Sequence, residues 1–368
     1  MNSSLSIGVL SGTSMDGIDV VLADFSATFP QIIATNSHPY PDQLRNELMR
    51  LARGTDTGYG LDSLLELHYQ VAEIFTAAIL ALLDQSNTLA ENVACIGFHG
   101  QTIAHRPLAD PPWTLQLGDP GKLSKLTRIT VVSDFRTTDI AAGGQGAPLA
   151  PLIHQQLFQS DKQPTAVVNI GGIANITQAD GSGYDTGPGN CLLDAWIRLR
   201  QQQKFDQNGK WASKGQVQKQ LVDAWLADDY FQAKAPKSTG TDYFNLDWLS
   251  QTCDLNHYQA EDIQASLAEL TARSIAVAIS HDTERLLLCG GGVHNTDLLE
   301  RLQQQLIGIE VSSTASAGVD PDWVEGLLFA WLGWQRIHNI KVDTSKITGA
   351  CKPILAGAIY HPNPQIEV

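Results

Sequence analysis

The apolar run Ser6-Ile7-Gly8-Val9-Leu10 leads into the polar glycine cluster Ser11-Gly12-Thr13-Ser14-Met15-Asp16-Gly17, and a second apolar run, Ile18-Asp19-Val20-Val21-Leu22-Ala23-Asp24-Phe25, follows. Two β-branched runs around such a cluster predict a hairpin. A third strand is expected at Gln31–Ser37, and Pro41-Asp42 opens a helix. Leu61, Leu64, Leu65, Val71, Ala72, Phe75, Ile79 and Leu82 recur on one face of a long helix. Val93–Phe98 reads as a buried strand with His99-Gly100-Gln101-Thr102 after its end, and another strand is expected at Thr130–Phe135. The opening pattern then recurs: strand Thr165–Ile170, turn Gly171-Gly172, strand Ile173–Thr177. Helices are predicted over 190–202, 217–226 and 262–280. A buried strand, Arg285–Cys289, enters Gly290-Gly291-Gly292, and helices follow from Thr296 and over 322–338. Strands interleaved with helices define an α/β class. The repeated hairpin predicts two similar halves that present their hairpins to a shared cleft.

At 368 residues the chain exceeds what one core comfortably serves, and its 43% hydrophobic residues suffice for two. The uncharged stretch Ala141–Pro148 marks the expected division, read either as a linker or as a hinge or substrate loop. This gives an N-terminal domain over 1–140, with the segment after about 340 a candidate to rejoin it, and a C-terminal domain over 141–368. The polar segment Gln201–Gly215 reads as an exposed excursion. A formal net charge of −15 disfavours nucleic acid as a partner. Five widely spaced cysteines without a CxxC argue against a disulfide framework or structural zinc, and buried reduced thiols are expected. The N-terminus shows no secretory pattern. The longest apolar helix candidate, near 71–83, is interrupted by Glu73 and Thr76 and reads as too short for a membrane span. A soluble cytoplasmic protein without membrane contact is the expectation.

Ser11–Asp19 has the makings of a phosphate cradle, because tight glycine turns expose backbone N–H groups. Ser11, Thr13 and Ser14 add hydroxyls, and Asp16 and Asp19 could hold Mg²⁺ through water. Ile18-Asp19 stands where a P-loop needs Lys-Ser/Thr, so a P-loop is disfavoured, and the plain alternative is an ordinary hairpin turn. In Tyr184-Asp185-Thr186-Gly187-Pro188-Gly189-Asn190 a carboxylate precedes a stiff turn that opens a helix. Asp185 is either a fixed catalytic carboxylate or a turn cap, with Asn190 available to cap the helix. Gly290, Gly291 and Gly292 end a buried strand, where a flat ligand can approach the backbone or where the chain merely turns. His99 and His105, with Gln101 nearby, lack the ligand spacing of a metal site and suit polar sugar contacts or packing. Arg136 could grip a carboxylate or pair with Asp134 or Asp139. Glu325 is either a sugar contact or an ordinary first-turn helix acid.

Taken together, Gly12-Thr13-Ser14-Met15-Asp16-Gly17-Ile18-Asp19, His99-Gly100-Gln101-Thr102, Asn169-Ile170-Gly171-Gly172-Ile173-Ala174-Asn175 and Asp185-Thr186-Gly187-Pro188-Gly189-Asn190 resemble the anhydro-N-acetylmuramic acid kinase family, within the actin-like sugar kinases. The matching blocks run from about residue 7 to 330. The resemblance implies a two-domain actin-like fold, each domain an RNase H-like sheet with helices and the active site in the interdomain cleft. It implies phosphate motifs at Gly12–Asp19 and at Asn169, Gly171, Gly172 and Asn175, and an adenosine motif at Gly290–Gly292. It further implies ATP, Mg²⁺, water and 1,6-anhydro-N-acetylmuramic acid as the reacting partners, with Asp185 as general base and His99, Gln101, Arg136 and Glu325 as sugar contacts. A homodimer is also implied, for which the sequence itself offers no interface. Two rival functions are a kinase for another amino sugar and an actin-like ATPase module without a sugar acceptor.

Overall fold

Two sheets carry the chain, one in each of two units: Met1–Ile153 with Glu325–Val368, and His154–Val324. The computed structural model describes residues 3–12, 15–52, 58, 60–159, 163–252 and 254–362. Cys253, Thr13 and Ser14 lie outside the described residues.

The first unit opens with an antiparallel meander, β1 (Leu5–Ser11), β2 (Ile18–Asp24) and β3 (Gln31–His38). After α1 (Asp42–Ala52) and α2 (Leu61–Gln85), β4 (Val93–Arg106) joins β1 in parallel, and β5 (Trp113–Leu117) folds back on the far half of β4. Then come α3 (Pro120–Thr127), β6 (Val131–Ser133) parallel to β4, and α4 (Phe135–Ala141). The division falls within α5 (Ala150–Phe158).

The second unit repeats the plan. Its meander is β7 (Thr165–Ile170), β8 (Ile173–Thr177) and β9 (Gly183–Pro188). Helices α6 (Cys191–Gln201), α7 (Lys219–Leu226), α8 (Asp229–Gln232), α9 (Leu246–Thr252) and α10 (Ala260–Ala278) follow. Next, β10 (Arg285–Cys289) lies parallel to β7, and α11 (Thr296–Gln305) leads to β11 (Glu310–Ser313), parallel to β10. The chain then returns to the first unit with α12 (Val324–Ile337), whose first residue still counts with the second, and with β12 (Ala358–Tyr360) beside β6. With the hairpin strand β5 and the added edge strand β12 set aside, and the rest numbered within each unit, both sheets have the order 3-2-1-4-5, with strands 1–3 antiparallel and 4 and 5 parallel to 1. This is the RNase H-like order, present twice.

In the first unit α12 lies unusually close to the sheet. Ser6, Gly8, Cys95 and Gly97 fall at alternate positions of adjacent strands, so they share one face. A Cβ on Gly8 would stand 1.9 Å from the Gly326 carbonyl oxygen, and one on Gly97 would stand 1.8 Å from that of Phe329. Ser6 Oγ donates to the Ala330 carbonyl at 3.0 Å, a side chain small enough to fit beneath the helix.

Three expectations change. β4 does not stop at Phe98 but runs to Arg106: it passes Gly100 at φ 75°, keeps its pairing with β1 as far as Gln101, and pairs with β5 from Gln101 onward. A Cβ there would meet the Leu117 carbonyl at 2.6 Å. The apolar helix candidate is longer than expected: α2 has 25 residues and is long and apolar enough to cross a membrane by length and composition. Leu67, Val71, Phe75, Ile79 and Leu82 on its face are buried in the core of the first unit. The segment Gln201–Gly215 is mostly exposed, as its polarity predicts, with Asp206, Gly209 and Ala212 buried within it. The buried Asp206 carboxylate accepts the Trp211 and Ala212 amides, and Ala212 joins a core with Leu221 and Trp225. Of the thiols, Cys95 and Cys289 are buried, but Cys351 is exposed.

The glycine-rich stretch 141–148 lies inside the first unit and is pinned there. The fully buried Asp139 accepts the hydroxyls of Thr344 and Thr348 at 2.6 and 2.8 Å and the Gly146 amide at 2.7 Å. The Gln145 amide donates to the Thr348 carbonyl.

Candidate functional site

In the first unit the candidate phosphate loop joins β1 to β2. Ile18 and Asp19 already belong to β2, and Asp19 pairs with Leu10 across the hairpin. Met15, buried at φ 55°, donates its amide to the Gly12 carbonyl at 3.1 Å. Arg45 of α1 braces the turn: its Nε donates to the Met15 carbonyl at 2.8 Å, and its Nη2 meets the exposed Asp16 carboxylate at 3.2 Å. Gln101 is fully buried and reaches the same loop, Nε2 donating to the Gly12 carbonyl at 3.3 Å while Oε1 accepts from Tyr40 Oη at 3.0 Å. Gly17 faces Ser37 across the sheet.

His99 and Arg136 form a second group in this unit. Arg136 Nε donates to His99 Nε2 at 2.9 Å, so His99 Nδ1 carries the proton and faces the Gly100 carbonyl, also at 2.9 Å. Burial first, and then the Arg136 charge, hold the His99 imidazole well below its ordinary pKa. The same two causes lower His105 to about 4. Both rings are therefore neutral near pH 7, and Arg136 supplies the positive charge. Its Nη1 donates to the Gly146 carbonyl at 2.8 Å. The nearby acids have partners elsewhere: Asp134 accepts from Tyr360 Oη, and Asp139 holds the glycine-rich stretch. Phe329 stacks on His99 at 4.6 Å. Glu325 is half-buried in the first turn of α12, four residues before Phe329 and so on the same side of the helix.

In the second unit the strand registers align four side chains in a row. Cys289 pairs with Asn169, Asn169 with Asn175, and Asn175 with Asp185. Direct cross-strand partners share a face. The opposite face is apolar: Ala166, Val168, Ile170, Ala174, Ile176, Leu286 and Leu288 pack under Ile275 and Leu298. The polar row is buried too, with Asn169 3%, Asn175 8% and Asp185 5% exposed. The Oδ1 atoms of Asn169 and Asn175 have no hydrogen-bond partner, an arrangement that costs free energy unless a ligand or water supplies donors. Beside the row, His154 bridges Thr177 Oγ1 at 2.7 Å and Cys289 Sγ at 3.7 Å, and burial lowers its pKa to about 3.

Gly290 presses on the same place. At φ 79°, its Cβ would stand 2.2 Å from Asn169 Oδ1, and a Cβ on Gly292 would strike Ile170 at 2.3 Å. Gly291 between them has open space beside it. The carbonyls of Gly171 and Gly172 accept the amides of Gly189, Asn190 and Cys191 and so tie the hairpin turn to the start of α6.

Asp185 sits inside β9, ahead of the turn into α6, and is flanked by β8 on one side. Asn190 does not cap α6 with its side chain; its Nδ2 donates to the Ile170 carbonyl instead. On the other side of β9 lies Lys237-Ser238-Thr239. The Asp185 amide donates to the Lys237 carbonyl at 3.1 Å, and the Thr239 amide donates to Asp185 Oδ2 at 2.9 Å. Tyr230 Oη donates to the Asp185 carbonyl at 2.7 Å. Lys237, Thr239, Tyr230, Tyr40 and Arg45 escaped the sequence reading. Only Lys237-Ser238-Thr239-Gly240 carried any local signal, a polar run after a proline.

The structure thus groups Gly12, Met15, Asp16 and Gln101; His99 and Arg136; and Asn169, Asn175, Asp185 and Gly290, with Glu325 one helical turn from Phe329, the ring beside His99. Among the described residues no three His, Cys, Asp or Glu side chains converge as a metal cage.

Two RNase H-like sheets in one chain, each with a glycine hairpin between its first two strands, define the class of actin-like ATPases and sugar kinases. The chain belongs to the anhydro-N-acetylmuramic acid kinase family, whose model matches residues 4–362. Curated relatives named anhydro-N-acetylmuramic acid kinase include one from Coxiella burnetii, 43% identical over 96% of this chain and 96% of its own. Another, from Saccharophagus degradans, is 42% identical over 98% of this chain and 100% of its own. Among solved structures, the Acidaminococcus fermentans (R)-2-hydroxyglutaryl-CoA dehydratase component A aligns over 91% of this chain and 100% of its own, with 12% identity and a TM-score of 0.44.

Proposed function

We propose that this protein is an ATP-dependent anhydro-sugar kinase of peptidoglycan recycling in the cytoplasm. It converts 1,6-anhydro-N-acetylmuramic acid, water and ATP into N-acetylmuramic acid 6-phosphate and ADP. The observation that carries this reading is the buried row Asn169–Asn175–Asp185, which ends in a carboxylate held by backbone on both sides of its strand, in a chain of this family. Asp185 takes a proton from water as the water oxygen bonds to the anomeric carbon. The bond from that carbon to O6 breaks, and O6 keeps its electron pair. O6 then bonds to the γ-phosphorus, and the β-phosphate oxygen leaves with ADP. Asp185 afterwards releases its proton to solvent. Positioning and exclusion of water carry most of the catalysis in such a transfer.

Gly12–Asp19 and the Asn169–Asn175 hairpin are assigned to the phosphates, and Gly290–Gly292 to the adenosine. His99, Gln101, Arg136 and Glu325 are assigned to the sugar, where Arg136 suits the lactyl carboxylate. Mg²⁺ normally keeps several waters and takes one or two carboxylates together with substrate phosphates. Asp16 and Asp19 on the phosphate hairpin fit that limited role, and the ion would neutralise phosphate charge when bound.

The deciding experiment is mass spectrometry of the product formed in ¹⁸O-water. Label at the anomeric hydroxyl with phosphate on O6 is expected; unlabelled product would remove the hydrolytic step. Turnover of N-acetylglucosamine in place of the anhydro-sugar would favour an ordinary amino-sugar kinase, and ATP hydrolysis independent of sugar would favour an ATPase module.

Gly291 offers a test of the nucleotide surface. Because the space beside it is open, Gly291→Ala is expected to leave the melting temperature unchanged. If adenosine lies there, the added methyl group should weaken binding of an ATP analogue about tenfold, on the order of 1–3 kcal/mol for overpacking. Calorimetric titration giving wild-type affinity would take Gly291 out of the nucleotide site.

A further inference from the structure

β9 is the edge strand of its sheet, and an edge strand leaves main-chain groups to be satisfied by something else. Here the cover is the strap Lys237-Ser238-Thr239, whose backbone brackets one residue, Asp185: a carbonyl accepts its amide, and an amide donates to its carboxylate. The strap is anchored in turn. Lys237 Nζ donates to the Tyr230 carbonyl at 2.9 Å and lies 4.7 Å from the centre of the Tyr230 ring and 5.8 Å from that of Tyr184. Tyr230 packs edge-on against Phe244 and donates its hydroxyl to Asp185. Asp228 fastens the outer layer by accepting Tyr243 Oη and Trp248 Nε1.

A carboxylate only 5% exposed resists ionisation unless charge or donors compensate. A base must nevertheless be ionised to work. The titratable and charged groups around it are Tyr184 on its own strand, Tyr230 on α8, Lys237 on the strap, and Tyr243 and Asp228 behind them. Of these groups among the described residues, Lys237 carries the positive charge.

We propose that the Lys237–Thr239 strap is a positioning device for Asp185, and that the Lys237 ammonium is the charge that keeps this carboxylate ionised and ready to accept a proton. The mutual influence appears on the lysine as well. Burial pushes its ammonium below the ordinary lysine range, and the Asp185 charge pulls it back up. Burial first, and then the Asp185 charge, raise the Tyr230 phenol far above its ordinary value, so Tyr230 remains a neutral donor. The aromatic faces of Tyr184 and Tyr230 accept the cation without supplying a competing anion, which keeps the Lys237 charge beside the strand that carries Asp185. This inference rests on Asp185 as the general base.

The test is the pH profile of kcat/KM with ATP and anhydro-sugar for wild type, Lys237→Met, Lys237→Arg and Asp185→Asn. The acidic limb reports the base in the free enzyme, which works deprotonated. Removing the neighbouring cation raises a carboxylate pKa. In Lys237→Met the acidic limb should therefore move to higher pH by about one unit or more, within the 1–3 units typical of an adjacent cation. Lys237→Arg should return the limb to near its wild-type place. Melting temperatures close to wild type for both variants would exclude simple unfolding as the cause. A Lys237→Met limb at the wild-type position overturns the proposal, as does a change confined to the KM for ATP, which would make Lys237 a phosphate ligand. Near-normal activity in Asp185→Asn would instead overturn the base assignment beneath it, so the two failures are distinguishable.

Discussion

Asp185→Asn is expected to lower turnover by about 10²–10⁴-fold, the usual worth of a general base, while melting and nucleotide affinity hardly change. The bonds around the residue explain why the fold should tolerate the substitution. Two of the three described contacts are made by its backbone, to Lys237 and from Tyr230, and these survive any side-chain change. The third, Thr239 N–H to Oδ2, needs only an acceptor oxygen, which an asparagine carbonyl provides. What asparagine cannot supply is proton affinity. Turnover and melting temperature measured on one preparation separate the roles. A stable variant with near-normal turnover would make Asp185 only an anchor for the strap, and ring opening would need another base.

The hairpins were legible because each shows a period of two interrupted by glycine, and sterics leave such a pattern few alternatives. Their recurrence was enough to expect a repeated half, and the matching strand order of the two sheets accounts for it. Asp185 stood out in the sequence as a carboxylate ahead of a Gly-Pro-Gly turn, but the strand that carries it did not. Gly183–Pro188 forms a strand because β8 pairs with one edge, the strap covers the other, and Pro188 stands at the strand's last residue, where little pairing is lost. β4 was cut short for a similar reason: His99-Gly100-Gln101-Thr102 is polar, and it is pairing with distant strands, Gln101 with Ser11 of β1 and then Gln101–Arg106 with β5, that extends the strand. The polarity of Gln201–Gly215 predicted exposure, and most of the segment is exposed, but composition carried no sign that its backbone folds around one buried carboxylate, Asp206. The strap was invisible because its partners lie in a distant strand, and no local periodicity records such a pairing.

The largest loss of stability is expected from Gly97→Ala. The added Cβ would stand 1.8 Å from the Phe329 carbonyl oxygen and 2.6 Å from its carbon, and both atoms belong to helix backbone. No rotamer change relieves that overlap, so α12 must lift from β1 and β4. Lifting opens a contact in which Gly8 lies equally close to Gly326, and in which Leu327, Leu328 and Ala330 are all at most 2% exposed. Overpacking of flexible side chains costs about 1–3 kcal/mol, and a rigid backbone partner places this site at or beyond the upper end. For a unit of this size, about 3 kcal/mol corresponds to a fall in melting temperature of roughly 10 °C. Gly60→Ala is the matched control, since nothing stands within 4 Å of its Cβ position and its φ of −74° suits alanine. Thermal melts of the two variants should differ accordingly, with Gly60→Ala within about a degree of wild type. Activity should fall along with stability in Gly97→Ala, because α12 also carries Glu325 and sets Phe329 against His99. A Gly97→Ala protein that melts like wild type would show that the helix can yield, and that the paired glycines of the two strands are not what seats it.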